Sequence, residues 1–156
     1  MLIRLIAVGT RMPQWVEAGV AEYSRRLGPE VRLEIRELAA TRRGANEHPA
    51  RAIADEGRRI LLALDADDYV VALDVKGKSS STEQLSQWLA ERLGEGRTVV
   101  FVIGGADGLA EECLKRANLR LSLSALTLPH ALVRVVIAEQ VYRAMSILKG
   151  HPYHRG

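Results

Sequence analysis

Titratable and cationic side chains are concentrated at the end of the chain, where His151, Tyr153, His154 and Arg155 occur within five positions. Imidazole and phenol groups can act as general bases, and a guanidinium can bind phosphate. Chain termini usually fray, so the alternative is a solvated end without a function. We expect catalysis from His154, Tyr153 or Arg155, with RNA contacts from His151 and Arg155.

A glycine-rich segment, Gly104-Gly105-Ala106-Asp107-Gly108, follows an apolar run and precedes a helical pattern. Glycines at such a position let the backbone approach a ligand closely. The spacing is not GxGxxG, and no acidic residue stands where a ribose would be bound, which argues against a dinucleotide site. The segment is either part of a ligand site or a tight turn between strand and helix.

A third candidate segment covers residues 123–130 and reads LSALTLPH. Its side chains are small or apolar, so much of its main chain would remain available for hydrogen bonds. Such a loop suits a flat heteroaromatic ligand that is recognised by backbone groups. A structured connection that packs on the core is the alternative.

The pattern of the chain predicts elements that alternate between strand and helix. Apolar runs indicate strands over 2–8, 31–38, 69–75, 98–105 and 119–123, and apolar residues spaced by three and four indicate helices over 13–27, 50–64, 82–93, 109–117 and 131–148. This alternation predicts one α/β domain over 1–156, with a mostly parallel sheet and helices on both faces. The strand order cannot be deduced. Ligands of such sheets bind at the carboxyl ends of the strands, where the loops after residues 75, 103 and 123 fall.

The helix predicted over 131–148 is apolar nearly all round. Such a helix must be covered on more than one side, and in a chain of 156 residues a second subunit is the simplest cover. The sequence therefore predicts a homodimer.

The excess positive charge lies entirely at the C-terminal end. The chain has 22 Lys and Arg against 19 Asp and Glu, a net charge of +3. From residue 129 onward the charged residues are Arg134, Arg143, Lys149 and Arg155 against Glu139. This imbalance favours an anionic partner, RNA before a small phosphate, although cations also stabilise the C-terminal end of a helix.

Several classes of protein are disfavoured by composition. The single Cys113 excludes an internal disulfide and a CxxC zinc site, and we expect it to be a buried residue rather than a nucleophile. No metal site is predicted, because His151 and His154 have no third ligand nearby. The longest uncharged stretches are shorter than the ~20 residues of a membrane span, and the N-terminus lacks a signal-peptide pattern. We therefore expect a cytoplasmic protein without a membrane partner.

Three motifs resemble one family. AVGTRMPQW near the start, VIGGADGL in the middle and SLSALTLPHALVRVVIAEQVYRAMSILKGHPYHRG at the end are similar to the ribosomal RNA large-subunit methyltransferase H family, within the SPOUT methyltransferases. The resemblance covers the whole chain. It implies an α/β fold with a C-terminal trefoil knot, over about 100–156 here, and a homodimer that binds S-adenosyl-L-methionine. The implied activity is methylation of N3 of a pseudouridine in helix 69 of 23S rRNA, on the assembled 70S ribosome.

The resemblance also carries the family's cofactor positions onto the three loops described above. They fall at Leu73, Gly104, Leu123, Ser124, Ala125, Leu126, Thr127 and Leu128. The motif does not decide the catalytic base. Arg134 is expected to contact RNA, together with His151 and Arg155 of the C-terminal tail, residues 151–155. Two other functions stay open: an inactive knotted RNA-binding factor of ribosome assembly, and a flavodoxin-like nucleotide binder, whose usual phosphate loop with hydroxyls is absent here.

Overall fold

The computed structural model describes residues 1–42, 44 and 48–155, so Gly156, the last residue of the predicted domain, lies outside the description. The five strands are β1 Leu2–Val8, β2 Arg32–Leu38, β3 Tyr69–Ser79, β4 Val99–Ile103 and β5 Leu119–Ser122. The helices are α1 Gln14–Arg26, α2 Pro49–Leu62, α3 Thr82–Leu93, α4 Glu111–Arg116 and α5 His130–Leu148, followed by a 3-10 turn at Pro152–Arg155. None of the helices described is long and apolar enough to span a membrane.

The strands form one sheet in the order β2-β1-β4-β3-β5, and all four pairings are parallel. β4 lies at the centre and all five of its residues are buried, which explains its unbroken apolar sequence. β2 lies at an edge, as its alternation of apolar and charged residues predicts. The predicted α/β fold is confirmed.

Two layers of helices cover the sheet. On one face, Phe101 and Leu5 of the sheet pack with Leu89 of α3 and Ile137 of α5. α5 contacts both α1 and α3 in this layer. On the other face, α2 and α4 cover a second apolar cluster that includes Ile60 and Cys113. The prediction that helices lie on both faces is confirmed.

β3 is longer than its apolar pattern indicates. Its sequence predicts an end at Val75 and a loop at Gly77, but the strand continues to Ser79. Gly77 lies directly on the backbone of β5: a Cβ atom there would approach the carbonyl carbon of Arg120 to 2.7 Å. Sequence reasoning does not predict the extension, because glycine often marks a turn and both glycine and lysine are uncommon in strands.

α5 runs from the edge of the sheet at which the strands end, the carboxyl edge, to the edge at which they begin, the amino edge. It has 19 residues, which corresponds to a length of about 28 Å. Its first residue, His130, follows the loop at the carboxyl end of β5. Its far end lies beside the amino end of β2, where Lys149 Nζ is 2.9 Å from Glu30 Oε2. This direction decides which functional residues can meet within one chain.

Candidate functional site

A cavity of about 450 Å³ opens at the carboxyl ends of β3, β4 and β5. Three segments form its wall, 73–75, 103–109 and 121–128, and the start of α5 closes it with His130 and Val133. The volume lies within the ~300–1,000 Å³ range of small-molecule sites. The position agrees with the rule that open α/β sheets bind ligands at the carboxyl ends of their strands.

Most of the residues predicted to bind a cofactor line this cavity. They are Leu73, Gly104, Leu123, Ser124, Leu126, Thr127 and Leu128. Ala125, from the same loop, does not line it. The structure thus brings together residues that lie as far apart as 73 and 128 in the sequence, while their role in binding remains a prediction.

The loop over 123–128 offers free main-chain groups. The Ser124 hydroxyl accepts a hydrogen bond from the backbone N–H of Leu126 at 2.9 Å, which fixes the first part of the loop. Within the part of the chain that the structure describes, the backbone groups of Ala125, Thr127 and Leu128 form no hydrogen bond. Leu126 is 74% exposed despite its size. An apolar side chain beside unsatisfied backbone groups is suited to a flat ring with polar edges.

The turn that follows β4 requires a glycine at position 104. A Cβ atom at Gly104 would come within 2.7 Å of the carbonyl carbon and oxygen of Gly108. Gly108 itself has φ +88° and donates a hydrogen bond to the carbonyl of Gly105 at 3.1 Å. A valine at Gly104 would therefore distort this wall of the cavity and would also occupy part of the cavity. Loss of ligand binding by such a variant would not show whether Gly104 contacts the ligand or only permits the turn.

Arg134 is not available to RNA in this structure, contrary to the prediction from the charge pattern. The residue is 2% exposed on α5. Its Nη1 is 2.5 Å from Glu37 Oε2, and its Nη2 donates to the carbonyl of Gly9 at 2.8 Å. Arg134 therefore joins α5 to the ends of β1 and β2. Its charge is neutralised by a residue 97 positions away, which no local pattern shows.

We expect Arg134→Ala to lower the free energy of unfolding by about 2–3 kcal/mol. Breaking a fully buried ion pair costs roughly 3–5 kcal/mol, and the effect is smaller here because Glu37 keeps contact with water. Denaturant titration measures the loss. Arg51→Ala, an exposed arginine of α2, is the control and should change stability by less than ~0.5 kcal/mol. Equal stability of the two variants would contradict a structural role for Arg134.

The tail folds back on α5 through Tyr153. Its ring lies edge-on to Tyr142 with centroids 4.6 Å apart, and the Arg143 guanidinium lies 4.7 Å from the Tyr153 centroid. Burial, followed by a hydrogen bond with the Tyr23 side chain, raises the pKa of Tyr153 to about 12. A phenol with this pKa is protonated at physiological pH, so Tyr153 is a poor candidate for the general base.

His154 is better placed to accept a proton. Its Nδ1 is 2.6 Å from the carbonyl oxygen of His151, which can only accept, so Nδ1 carries the hydrogen. In the neutral ring Nε2 then keeps its lone pair. His151 Nδ1 accepts a hydrogen bond from the backbone N–H of Tyr153 at 3.3 Å. Arg155 is exposed and forms no ion pair with any residue that the structure describes.

The tail lies at the amino edge of the sheet, and the cavity lies at the carboxyl edge. His151 and Pro152 border a groove with Leu27 and Gly28, just before the amino end of β2. The cavity is at the carboxyl edge, and the ~28 Å length of α5 separates the two. One chain therefore does not bring the predicted cofactor residues and the predicted catalytic residues together.

Cys113 lies outside both groups. It is 3% exposed, and burial, with a smaller contribution from Glu112, raises its pKa to about 11. The expectation that it is a buried residue is confirmed. Among the residues described, no group of three or more His, Cys, Asp and Glu side chains is arranged to hold a metal ion.

Comparison with known proteins identifies the family. The family described as "Predicted SPOUT methyltransferase" matches residues 1–154. This chain belongs to the SPOUT methyltransferase family. Family membership confirms the resemblance and implies the knotted methyltransferase fold for the parallel α/β domain described above.

Relatives of this SPOUT methyltransferase are similar over nearly their whole length. Three proteins named Ribosomal RNA large subunit methyltransferase H illustrate this. The protein of Alkalilimnicola ehrlichii is 54% identical over 155 residues, 99% of each chain. That of Thioalkalivibrio sulfidiphilus is 53% identical over 155 residues, again 99% of each chain. That of Methylococcus capsulatus is 48% identical over 155 residues, 99% of this chain and 100% of the relative.

Two ionisable residues of the cavity wall were not predicted as site residues. Asp74 is not among the candidate residues deduced from the sequence, and His130 is only the last residue of the predicted loop over 123–130. Both line the cavity, and His130 Nδ1 is buried without a hydrogen-bond partner among the described residues. The position of Asp74 directly after the buried part of β3 was the available signal, because residues at that position face the ligand edge of the sheet.

Proposed function

We propose that this protein is an S-adenosyl-L-methionine-dependent rRNA methyltransferase that modifies N3 of a pseudouridine in helix 69 of 23S rRNA, on the assembled ribosome. One observation carries the proposal: the three segments that the resemblance assigns to the cofactor form one cavity. The names of the relatives support rRNA as the substrate. The specific nucleotide rests on the resemblance of the C-terminal motif.

The residues of the cavity fit the proposed methyl donor. The free backbone groups of Thr127 and Leu128 suit the polar edge of an adenine ring, and Leu126 offers it an apolar face. When bound, the donor would supply an electrophilic methyl group on a sulfonium. Holding the reacting groups in a fixed geometry can lower the barrier by roughly 7–11 kcal/mol.

The remaining task of the protein is to remove the proton from N3. His154 Nε2 is the group we propose for this step, since it is unprotonated in the neutral ring and the histidine is only partly exposed. As the methyl group passes from the sulfonium to N3, the carbon–sulfur bond would break and leave a neutral thioether, while the proton of the N3–H bond would move to Nε2. Such a positioned base contributes about 10²–10⁴-fold. Arg155 is free to bind a phosphate of the RNA backbone, and His151 is the second RNA contact that we propose in the tail.

We further propose that the working unit is a homodimer in which the tail of one subunit lies over the cavity of the other. The separation of tail and cavity by the length of α5 supports this arrangement. Apolar surface on the α1–α5 face also supports a second subunit there. Trp15 is 58% exposed, and an adjacent groove of about 260 Å³ is lined by the partly exposed Met12 and Ile35 and by the exposed Ala21. Apolar surface of this kind is typical of interfaces.

The decisive experiment is transfer of tritium from methyl-labelled S-adenosyl-L-methionine. Wild-type protein is incubated in parallel with 70S ribosomes, with separated subunits and with naked 23S rRNA. We expect label in the 23S rRNA of 70S ribosomes, at N3 of one pseudouridine. Absence of label from all three substrates would contradict the proposed activity, and label on naked rRNA alone would contradict the requirement for the ribosome.

A binding variant tests the cavity without perturbing the fold. We expect Leu126→Ala to weaken S-adenosyl-L-methionine about tenfold, because burying a leucine side chain against a ligand is worth roughly 1.5–3 kcal/mol and alanine keeps part of it. The melting temperature should not change, because Leu126 is exposed. The control is Leu62→Ala on α2, since Leu62 is 85% exposed and does not line the cavity. Calorimetry that gives the same Kd for both variants would remove Leu126 from the site.

A further inference from the structure

An irregularity in β3 directs one carboxylate into the cavity wall. β3 pairs with β5 at Leu73↔Leu121 and resumes at Lys78↔Leu121, so residues 74–77 leave the ladder. Bulges of this kind turn side chains away from the regular alternation and are frequent next to active sites. Here the displaced segment places Asp74 in the wall of the cavity.

The position of Asp74 is restrained. One carboxylate oxygen, Oδ1, accepts a hydrogen bond from the backbone N–H of Lys76 at 3.3 Å, within the displaced segment. The side chain is partly buried. A partly desolvated charge at a cavity wall acts on a ligand more strongly than one in bulk water, because the effective dielectric constant is lower.

The charges that line the cavity have one sign. Among the lining residues, all of which the structure describes, the charged ones are Asp74 and the exposed Asp107, and His130 is the other ionisable group. None of the lysines and arginines that the structure describes lines the cavity. Such a wall favours a cationic ligand over a neutral one of the same shape.

We propose that Asp74 is a specificity-determining residue that makes the cavity prefer the cationic sulfonium donor to its neutral thioether product. The proposal rests on the proposed function, since it assumes S-adenosyl-L-methionine as the ligand. Donor and product share the adenosine, the α-ammonium and the carboxylate, and differ by one methyl group and one positive charge. A carboxylate near the sulfonium therefore attracts the donor and loses that attraction once the methyl group has left, which favours exchange of product for new donor.

The test measures binding of three ligands to wild-type protein and to Asp74→Asn by calorimetry. They are S-adenosyl-L-methionine, S-adenosylhomocysteine and sinefungin, which carries a protonated amine in place of the methyl sulfonium. We expect the variant to bind the two cationic ligands about tenfold more weakly and the neutral product within about twofold of wild type. Asp67→Asn is the control, because Asp67 is exposed in the turn before β3 and the change in net charge is the same.

The other outcomes overturn the proposal. An equal loss for all three ligands would mean that Asp74 contacts a group that they share, and unchanged binding would remove it from the site. Failure of wild-type protein to bind any of them would instead contradict the proposed function. A second measurement uses wild-type protein alone, so it does not depend on folding of the variant. Increasing salt should reduce the ratio of product Kd to donor Kd, and a salt-independent ratio would contradict an electrostatic preference.

Discussion

Truncation after Gly150 is expected to lower the rate of methyl transfer to ribosomes at least about 100-fold while leaving the fold intact. The tail carries the proposed base, His154, and the proposed phosphate contact, Arg155, and one positioned base alone contributes about 10²–10⁴-fold. None of its described residues is fully buried. Turnover at saturating ribosomes, light scattering and donor Kd are measured together, and we expect a dimer whose donor Kd changes by no more than about threefold.

Single substitutions distinguish the proposed base of the tail from its proposed phosphate contact. His154→Ala should reproduce most of the loss in turnover. Tyr153→Phe should keep turnover close to wild type, because the ring can still pack on Tyr142 and a phenol with a pKa of about 12 is ionised in only about one molecule in 10⁴ at pH 8. Arg155→Ala should raise the KM for ribosomes and reduce its dependence on salt, since a phosphate contact contributes to that dependence.

The reverse pattern would contradict the assignment. If Tyr153→Phe abolishes turnover and His154→Ala does not, the phenol is the essential group. If the truncated protein keeps full turnover, the tail is a frayed end and the base must lie in the cavity wall, where the ionisable residues are His130, Asp74 and Asp107. Normal ribosome binding by a wild-type protein without any turnover would favour the inactive assembly factor.

The raised pKa of Tyr153 also predicts how docking of the tail depends on pH. A pKa of about 12 in the folded protein, against an ordinary value of 10, means that folding favours the protonated phenol. This contribution is fully present below pH 10 and is lost as the pH rises through about 12. Below pH 10, ionisation of Tyr153 should therefore not detach the tail.

The sequence predicted much of the cavity because its parts follow a simple rule. Buried strands such as β4 are recognisable as short apolar runs, and ligand loops of a parallel sheet lie after the carboxyl ends of such strands. Gly104 and the loop over 123–128 both lie at the carboxyl ends of predicted strands, so their meeting was foreseeable. The wall includes Asp74 and Val75 of the displaced segment over 74–77. The displacement itself was not foreseeable, because it depends on the pairing of β3 with β5 and the strand order was unknown.

Long-range contacts account for the other differences. Arg134 resembles a surface cation in the sequence, but its partner Glu37 lies on β2, and only the tertiary fold reveals the burial. The tail is similar: its residue types indicate chemistry, but its place at the amino edge of the sheet depends on the direction and length of α5. Local patterns describe what a segment can do, whereas its neighbours depend on the topology of the whole sheet.

Two defective proteins should restore activity to each other if the tail of one subunit completes the cavity of its partner. The pair consists of the protein truncated after Gly150 and a cavity variant, Leu126→Asp, which places a charge against the proposed adenine site. Each alone should have little activity. After joint unfolding and refolding, half of the dimers are mixed if assortment is random. Each mixed dimer has one intact cavity beside one intact tail.

The expected recovery is about a quarter of the activity of the same amount of wild-type protein, because mixed dimers are half of the total and each has one complete site out of two. Tags of different size on the two proteins allow mixed dimers to be isolated, and these should reach about half of the wild-type activity per dimer. If tail and cavity served each other within one chain, every site in a mixed dimer would lack one part and no activity would return. Mixed dimers without activity would therefore contradict a shared site, and the ~28 Å between tail and cavity would then have to be closed by movement of the tail within its own subunit.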